Sequence, residues 1–195
     1  MANPEDHPTS QAFVLELTGH SIDAALIEPL LKRGVLAAVI GGQPGLADLC
    51  QSRTARFVRT DLARFEQDQP SINAAEGVVA PASQIGKLRK ILGGDCLIGA
   101  ECGTSRHAAM VAGEAGADYF LFGQRDQLDP ALFDLIGWSA GLTTLPAAAM
   151  GPLSLEDAQS LRKCGADMLM PSAATDAERC AAIQNLVGGW MAADD

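Results

Sequence analysis

The sequence lacks any hydrophobic run that approaches the roughly 20 apolar residues of a membrane-spanning helix. Its first residues also lack the basic segment and the apolar core of a secretory signal. We therefore expect a cytoplasmic protein without a membrane partner.

Basic residues are scarce as well. The chain has 14 Lys and Arg against 24 Asp and Glu, for a formal net charge of -10. This charge has the wrong sign for a phosphate backbone, and no local basic patch offsets it, so nucleic acid is not an expected partner. The five cysteines are an odd number without metal-ligand spacing, which predicts reduced thiols rather than a disulfide framework or a zinc site.

What is present is typical of one globular unit. Hydrophobic residues make up 48% and charged residues 19% of the 195 residues, enough to bury a full core. Residues 1–10 are polar and without apolar periodicity, so we predict a disordered tail there and a single domain over 11–192.

Eight short apolar runs recur along the chain. Their continuous apolarity favours parallel strands covered on both faces, although runs this short can also be helix fragments. The runs are Ala12–Leu17, Val35–Ile40, Ala55–Val58, Gly77–Ala80, Cys96–Ala100, Tyr119–Phe122, Leu145–Met150 and Met168–Met170.

Helix start and stop signals lie between these runs. The starts are Ser21 before Ile22–Arg33, Asp129-Pro130 before Ala131–Trp138, Ser154 before Leu155–Cys164, and Thr175 with Glu178 as a capping box. The stops are Gly34, Gly93-Gly94, Gly116 and Gly165. Two junctions repeat the order Gly-Ala-Asp, at 116–118 and 165–167, and 75–77 is a looser version.

This alternation predicts an α/β fold, a compact (β/α)8 TIM barrel with short repeats. An open doubly wound sheet, or an α/β domain with fewer true strands, is the alternative.

Three stretches resemble one family. They are Ile98–Tyr119 with its Gly-Thr-Ser helix start, Glu76–Val79, and Leu145–Gly151 followed by Gly165-Ala166-Asp167. Together they are similar to thiamine-phosphate synthase and its relative the thiazole tautomerase, from about Glu76 to Ala174. The resemblance implies a (β/α)8 barrel, and a transferase that couples an aminopyrimidine diphosphate to a thiazole phosphate with Mg²⁺.

The residues that this chemistry needs in the family are mostly replaced here. No Arg or Lys follows strand two, where the family has its diphosphate clamp, and Ser gives way to Glu101 after strand five. The other changed segments are Arg59-Thr60-Asp61, 79–83, 124–128 and Gly151-Pro152. We therefore expect no cofactor, with Asp61 as a metal ligand only if the alignment slips by one residue.

Several polar residues should still meet at the barrel mouth, because groups past the strand ends gather there. They are Glu16, Arg59, Glu101, Cys102 and Arg125. One interpretation is a pocket in which Arg59 and Arg125 bind an anion and Glu101 acts as an acid or base. The other is a set of salt bridges that close an idle barrel.

Four residues near the strand ends are candidates for the site. Cys102 lies near a helix start that would lower its pKa and make it a nucleophile, although an ordinary loop cysteine is the alternative. His107 stands in the first turn of that helix, where a lone His is most often a surface residue. Gly151 and Ser172 follow strands seven and eight, where barrels commonly bind phosphate.

Three functions are compatible with these residues. The first is a synthase-like protein of thiamine biosynthesis that is impaired or inactive, a pseudoenzyme. The second is a non-catalytic binder of a small phosphorylated molecule, and the third is a structural or interaction paralogue with an idle mouth. The sequence leaves the oligomeric state open.

Overall fold

The computed structural model describes residues 12–17, 37–40, 55–172 and 177–192. These residues contain eight strands and six α-helices. The strands are β1 (Ala12–Leu17), β2 (Ala37–Ile40), β3 (Ala55–Arg59), β4 (Gly77–Pro81), β5 (Leu97–Gly103), β6 (Tyr119–Gly123), β7 (Ala147–Gly151) and β8 (Met168–Pro171). The helices are α1 (Phe65–Ile72), α2 (Ile85–Leu92), α3 (Arg106–Glu114), α4 (Ala131–Leu142), α5 (Leu155–Cys164) and α6 (Ala177–Ala192).

The strands are parallel and pair in chain order, and β8 pairs with β1 to close the barrel. This order has no reversal point of the kind that a doubly wound sheet contains. The predicted α/β class is therefore confirmed. The predicted helix Ile22–Arg33, which would contribute to a complete set of eight βα units, lies outside the described residues, as do Thr175 and the predicted tail at 1–10.

The inside of the barrel is filled by a small apolar cluster. Phe57 and Tyr119 meet edge to face there, with ring centroids 5.8 Å apart. A Cβ at Gly77 would lie 2.7 Å from the Phe57 ring, and one at Gly99 would overlap the Tyr119 ring. The two glycines therefore provide the space that the two aromatic rings occupy.

The main core lies between the strands and the helices. Strand residues such as Val78 and Ile98 are fully buried against Ile85 and Leu88 of α2. Because successive strand side chains point to opposite faces, the same strands supply both the core and the inside of the barrel. This explains the continuous apolar runs of the sequence.

The repeated acidic junctions have a common structural role. Each acidic residue donates its backbone N–H to a carbonyl at the start of the preceding strand, and its carboxylate accepts the N–H of that same strand residue, 20 positions earlier. The pairs are Glu76 with Arg56, Asp118 with Ile98, and Asp167 with Ala147. These reciprocal hydrogen bonds satisfy backbone N–H and C=O groups at the amino-terminal ends of β3, β5 and β7.

The predicted helix starts and ends are also confirmed where the structure describes them. Ser154 and Asp157 form a capping box at the start of α5, and Gly165 ends that helix with a φ of 99°. The helix predicted over Ala131–Trp138 runs one turn longer, to Leu142. Within the described ranges, the helices are too short or too polar to cross a bilayer.

Candidate functional site

The strand that carries Glu101 is longer than the sequence predicts. β5 continues through Gly103, so Glu101 and Cys102 are strand residues and not part of a loop. Its pairing with β6 shifts between Glu101 and Gly103, which is the mark of a β-bulge. The bulge lets β5 extend toward the mouth before the chain turns at Gly103, where φ is 55°.

Glu101 forms an ion pair with Arg59 across the mouth. An Nη of Arg59 lies 2.8 Å from Oε1 of Glu101, and the two side chains are 15% and 27% exposed. Arg59 ends β3 and pairs in register with Val79 of β4, whereas Glu101 pairs with Leu121 of β6. Val79 and Leu121 belong to the cluster inside the barrel, so the ion pair lies over that cluster and spans β4.

Burial raises the pKa of the Glu101 carboxyl, even with the guanidinium beside it. Tyr119 of β6, whose own pKa is raised by burial and by the charge of Glu101, lies on the inner side of the barrel. Sequence reasoning missed Tyr119 as a neighbour of the site. The signal that could have found it is Gly99, which faces the Tyr119 ring.

Cys102 faces away from the mouth. Its side chain is buried in the main core, and Sγ donates to the carbonyl of Ala100 at 3.3 Å. Burial raises the pKa of the thiol to about 12, so the expected lowering by the α3 start is wrong. Both the burial and the raised pKa argue against activation of this thiol as a nucleophile.

The start of α3 is occupied by its own cap. Ser105 Oγ accepts the N–H of Ala108 at 3.1 Å, and His107 is exposed. Arg106 lies over the ring of Trp138, 5.5 Å from its centroid. His107 thus lies on the surface, which is where a lone His in a first helical turn is most often found.

The loops after β6, β7 and β8 are joined by hydrogen bonds. Ser172 Oγ donates to the Arg125 carbonyl at 2.6 Å, and the Ser172 N–H donates to the Gly151 carbonyl at 2.9 Å. Ser172 and Gly151 therefore lie together, as the sequence predicts. Both donors of Ser172 are used within the protein, which leaves its hydroxyl lone pairs rather than a donor for a ligand.

The carboxylates after β3 have hydrogen-bond or ion-pair partners within the protein. Asp61 Oδ1 accepts the N–H groups of Ala63 and Arg64, each at 2.9 Å, and so caps the turn before α1. Asp68 is buried, accepts from Thr60 Oγ1 at 2.9 Å and pairs with Arg64. Among the described residues no group of three or more His, Cys, Asp or Glu side chains is placed to hold a metal ion.

The structure thus brings Arg59 and Glu101 together at the mouth, and it joins Arg125, Gly151 and Ser172 through the loops. It directs Cys102 into the core. Glu16 lies in β1 opposite Val39, and its side chain is outside the described residues.

Comparisons with known proteins relate the chain to one family. The family profile named thiamine monophosphate synthase matches residues 46–174. The thiamine-phosphate synthase of Rhodospirillum centenum is 30% identical over 180 residues, which cover 85% of this chain and 82% of the relative. That of Hyphomonas neptunium is 37% identical over 166 residues, 75% of each chain.

Two solved structures share the fold. Thiamine phosphate pyrophosphorylase from Pyrococcus furiosus has a TM-score of 0.66 at 16% identity and covers 92% of this chain and 96% of its own. The native KDPGal structure has a TM-score of 0.71 at 18% identity, covering 99% and 98%. The fold, the profile match and the relatives together show that the chain belongs to the thiamine monophosphate synthase family.

Proposed function

We propose that this chain is a (β/α)8 barrel protein of thiamine biosynthesis in which coupling of an aminopyrimidine diphosphate to a thiazole phosphate is impaired or lost. Family membership supports the link to thiamine biosynthesis. The observation that carries the loss of activity is the ion pair between Arg59 and Glu101 at 2.8 Å.

The ion pair opposes the expected chemistry. Release of a diphosphate requires positive groups that neutralise the charge developing on it. Here Glu101 places a carboxylate of the protein against Arg59, and an ionised carboxylate about 4 Å from an anion would repel it by roughly 4 kcal/mol at an effective dielectric constant near 20. The guanidinium of Arg59 is thus paired with a carboxylate of the protein itself.

The residues present also do not fit Mg²⁺. That ion prefers near-octahedral oxygen coordination and usually takes one or two carboxylates together with substrate oxygens. Asp61 and Asp68 are engaged by backbone N–H groups, Thr60 and Arg64 instead.

A second function is binding of a small phosphorylated molecule without catalysis. Arg59 supports it, because its positively charged side chain stands at the carboxyl ends of the strands, beside Glu101. Arg125, in the loop after β6, would supply a second cation. Glu101 does not suit such a site, because its ionised carboxylate has the same sign of charge as the ligand.

A coupling assay tests the proposal. Purified protein is mixed with the aminopyrimidine diphosphate, the thiazole phosphate and Mg²⁺, and thiamine phosphate and diphosphate are measured together. The synthase of Rhodospirillum centenum, run in parallel, is the positive control. We expect turnover far below the ~1 per second at the low end of ordinary enzymes. Turnover in the ordinary range would overturn the proposal.

The variant Glu101→Ser separates the two functions. It removes the carboxylate and restores the residue type that the family resemblance implies. If the mouth is a binding site, calorimetry should show that inorganic phosphate binds about fivefold more tightly to the variant than to the wild type. Undetectable binding to both proteins, with a lower melting temperature of the variant, would leave Glu101 as a structural partner of Arg59.

A further inference from the structure

The outer surface of α3 and α4 carries a group of exposed apolar side chains. Met110 and Val111 of α3 are 42% and 43% exposed, and Leu142 at the end of α4 is 58% exposed. The other side of α3 faces the core, where Ala109 and Ala112 are fully buried. Covering the three exposed side chains would be favourable in proportion to the apolar area removed from water.

These side chains form one continuous patch. The guanidinium of Arg106 on α3 lies over the Trp138 ring of α4, so the two helices are neighbours. Both connect parallel strands and therefore run in the same direction. Met110 is one helical turn beyond Arg106, and Leu142 is one turn beyond Trp138, which brings them to about the same level. We refer to Met110, Val111 and Leu142 as the α3–α4 patch.

Two opposite charges flank Met110 at equal distances along α3. Arg106 precedes it by four residues and Glu114 follows it by four, so the three lie on one side of the helix. Both charged side chains are exposed, and neither forms an ion pair within the residues that the structure describes. They cannot pair with each other, because eight residues separate them by about 12 Å along the helix axis.

We propose that the α3–α4 patch binds a second copy of this chain, in a dimer whose two-fold axis passes between the two Met110 side chains at right angles to α3. Such an axis places the two α3 helices antiparallel. Arg106 of each copy then faces Glu114 of the other, so two ion pairs form on either side of an apolar centre. The same axis brings the two Leu142 side chains together.

The equal spacing of the charges favours a second copy over another kind of partner. A two-fold axis exchanges the ends of α3, so it matches opposite charges only where they lie at equal distances from the axis. An unrelated partner requires no such symmetry of this chain. The net charge of -10 makes two copies repel each other in general, so a face with complementary charges is selected for contact. The patch lies on the outside of the barrel, and this inference does not depend on the function of the mouth.

Sedimentation equilibrium of the full chain over a range of concentrations tests the proposal. We expect the wild type to dimerise and Met110→Glu to raise the dissociation constant of the dimer at least about tenfold, because it places two like charges at the apolar centre. Ile91→Glu is the matched control, since it adds the same charge at a side chain that is 57% exposed on α2. Gly86 of α2 faces Ala115 of α3, and Ile91 lies about 140° around the helix from Gly86. Ile91→Glu should leave the dissociation constant unchanged.

An exchange of charges tests the arrangement of the two copies. Arg106→Glu and Glu114→Arg should each raise the dissociation constant at least about tenfold, because like charges then face each other twice. The double variant should return to within about threefold of the wild type. Arg106→Glu also removes the contact with the Trp138 ring. The double variant lacks that contact too, so its recovery can come only from the restored ion pairs. Melting curves of each variant establish that the protein is folded.

Three results would overturn the proposal. A wild type that stays monomeric at every concentration excludes the dimer. Equal effects of Met110→Glu and Ile91→Glu would show that association responds to added charge and not to this patch. A double variant that associates no better than either single variant would show that Arg106 does not face Glu114 of the second copy.

Discussion

Arg89 of α2 and Asp118 of the junction before β6 form an ion pair between elements 29 positions apart in the chain. The same guanidinium donates to the carbonyls of Gly93, Cys96 and Gly116, at 2.7 to 2.9 Å. Asp118 in turn accepts the N–H of Ile98 at 2.7 Å. One arginine thus joins three chain segments at the amino-terminal end of the barrel.

Arg89→Met should therefore destabilise the fold. The variant keeps an apolar stem of similar length but removes every donor to these carbonyls, so we expect a loss of about 2 kcal/mol or more in the free energy of unfolding. Denaturant unfolding measures it. Lys90→Met, at the exposed neighbouring position, should change stability by no more than about 0.5 kcal/mol. Equal losses in the two variants would contradict the role of Arg89.

Gly99→Ala tests the filling of the barrel. The new methyl group would overlap the Tyr119 ring, and that ring is packed against Phe57, so we expect a loss of about 1–3 kcal/mol in the free energy of unfolding. Gly86→Ala is the control, because its Cβ would lie 3.5 Å from the Cβ of Ala115 and would improve helix propensity. A neutral Gly99→Ala would mean that the ring is free to move.

The pH dependence of stability tests the environment of Glu101. Its pKa in the folded protein is raised, so the folded state holds this proton more tightly than the unfolded state does. The resulting stabilisation is complete below the unfolded pKa and is lost as the pH rises through the folded pKa. Unfolding curves from about pH 4 to about pH 8 should show the wild type losing stability relative to Glu101→Gln over that window. Parallel curves would argue against a buried carboxyl.

The thiol of Cys102 should resist alkylation in the native protein. With a pKa of about 12 instead of the ordinary 9.0, its thiolate fraction near pH 8 is lower by roughly three orders of magnitude, and burial blocks access as well. Peptide mapping after brief iodoacetamide treatment should find the half-buried Cys164 modified before Cys102. In denaturant, all five cysteines should react. Preferential labelling of Cys102 in the native protein would revive its role as a nucleophile.

Local signals in the sequence were sufficient to predict most of the fold. The apolar runs predicted the strands to within a few residues at each end, and Ser154 and Gly165 marked both ends of α5. The repeated Gly-Ala-Asp junctions predicted equivalent turns, because the same short residues make the same backbone contacts. The Gly-Thr-Ser and Gly-Ala-Asp motifs also sufficed to identify the family.

The site depended on features that a linear sequence does not contain. That Glu101 and Cys102 point to opposite sides follows from the strand alternation, once β5 is known to continue past Ala100. The contact between Arg59 and Glu101 needs more, because it depends on the register of β3, β4 and β5 and on the reach of two long side chains. The sequence by itself determined which elements form and to which family they belong. Only the tertiary structure decided that Arg59 at the mouth faces Glu101. The reason is that the register between strands distant in sequence, and so the level of their residues along the barrel axis, is fixed only when the barrel closes.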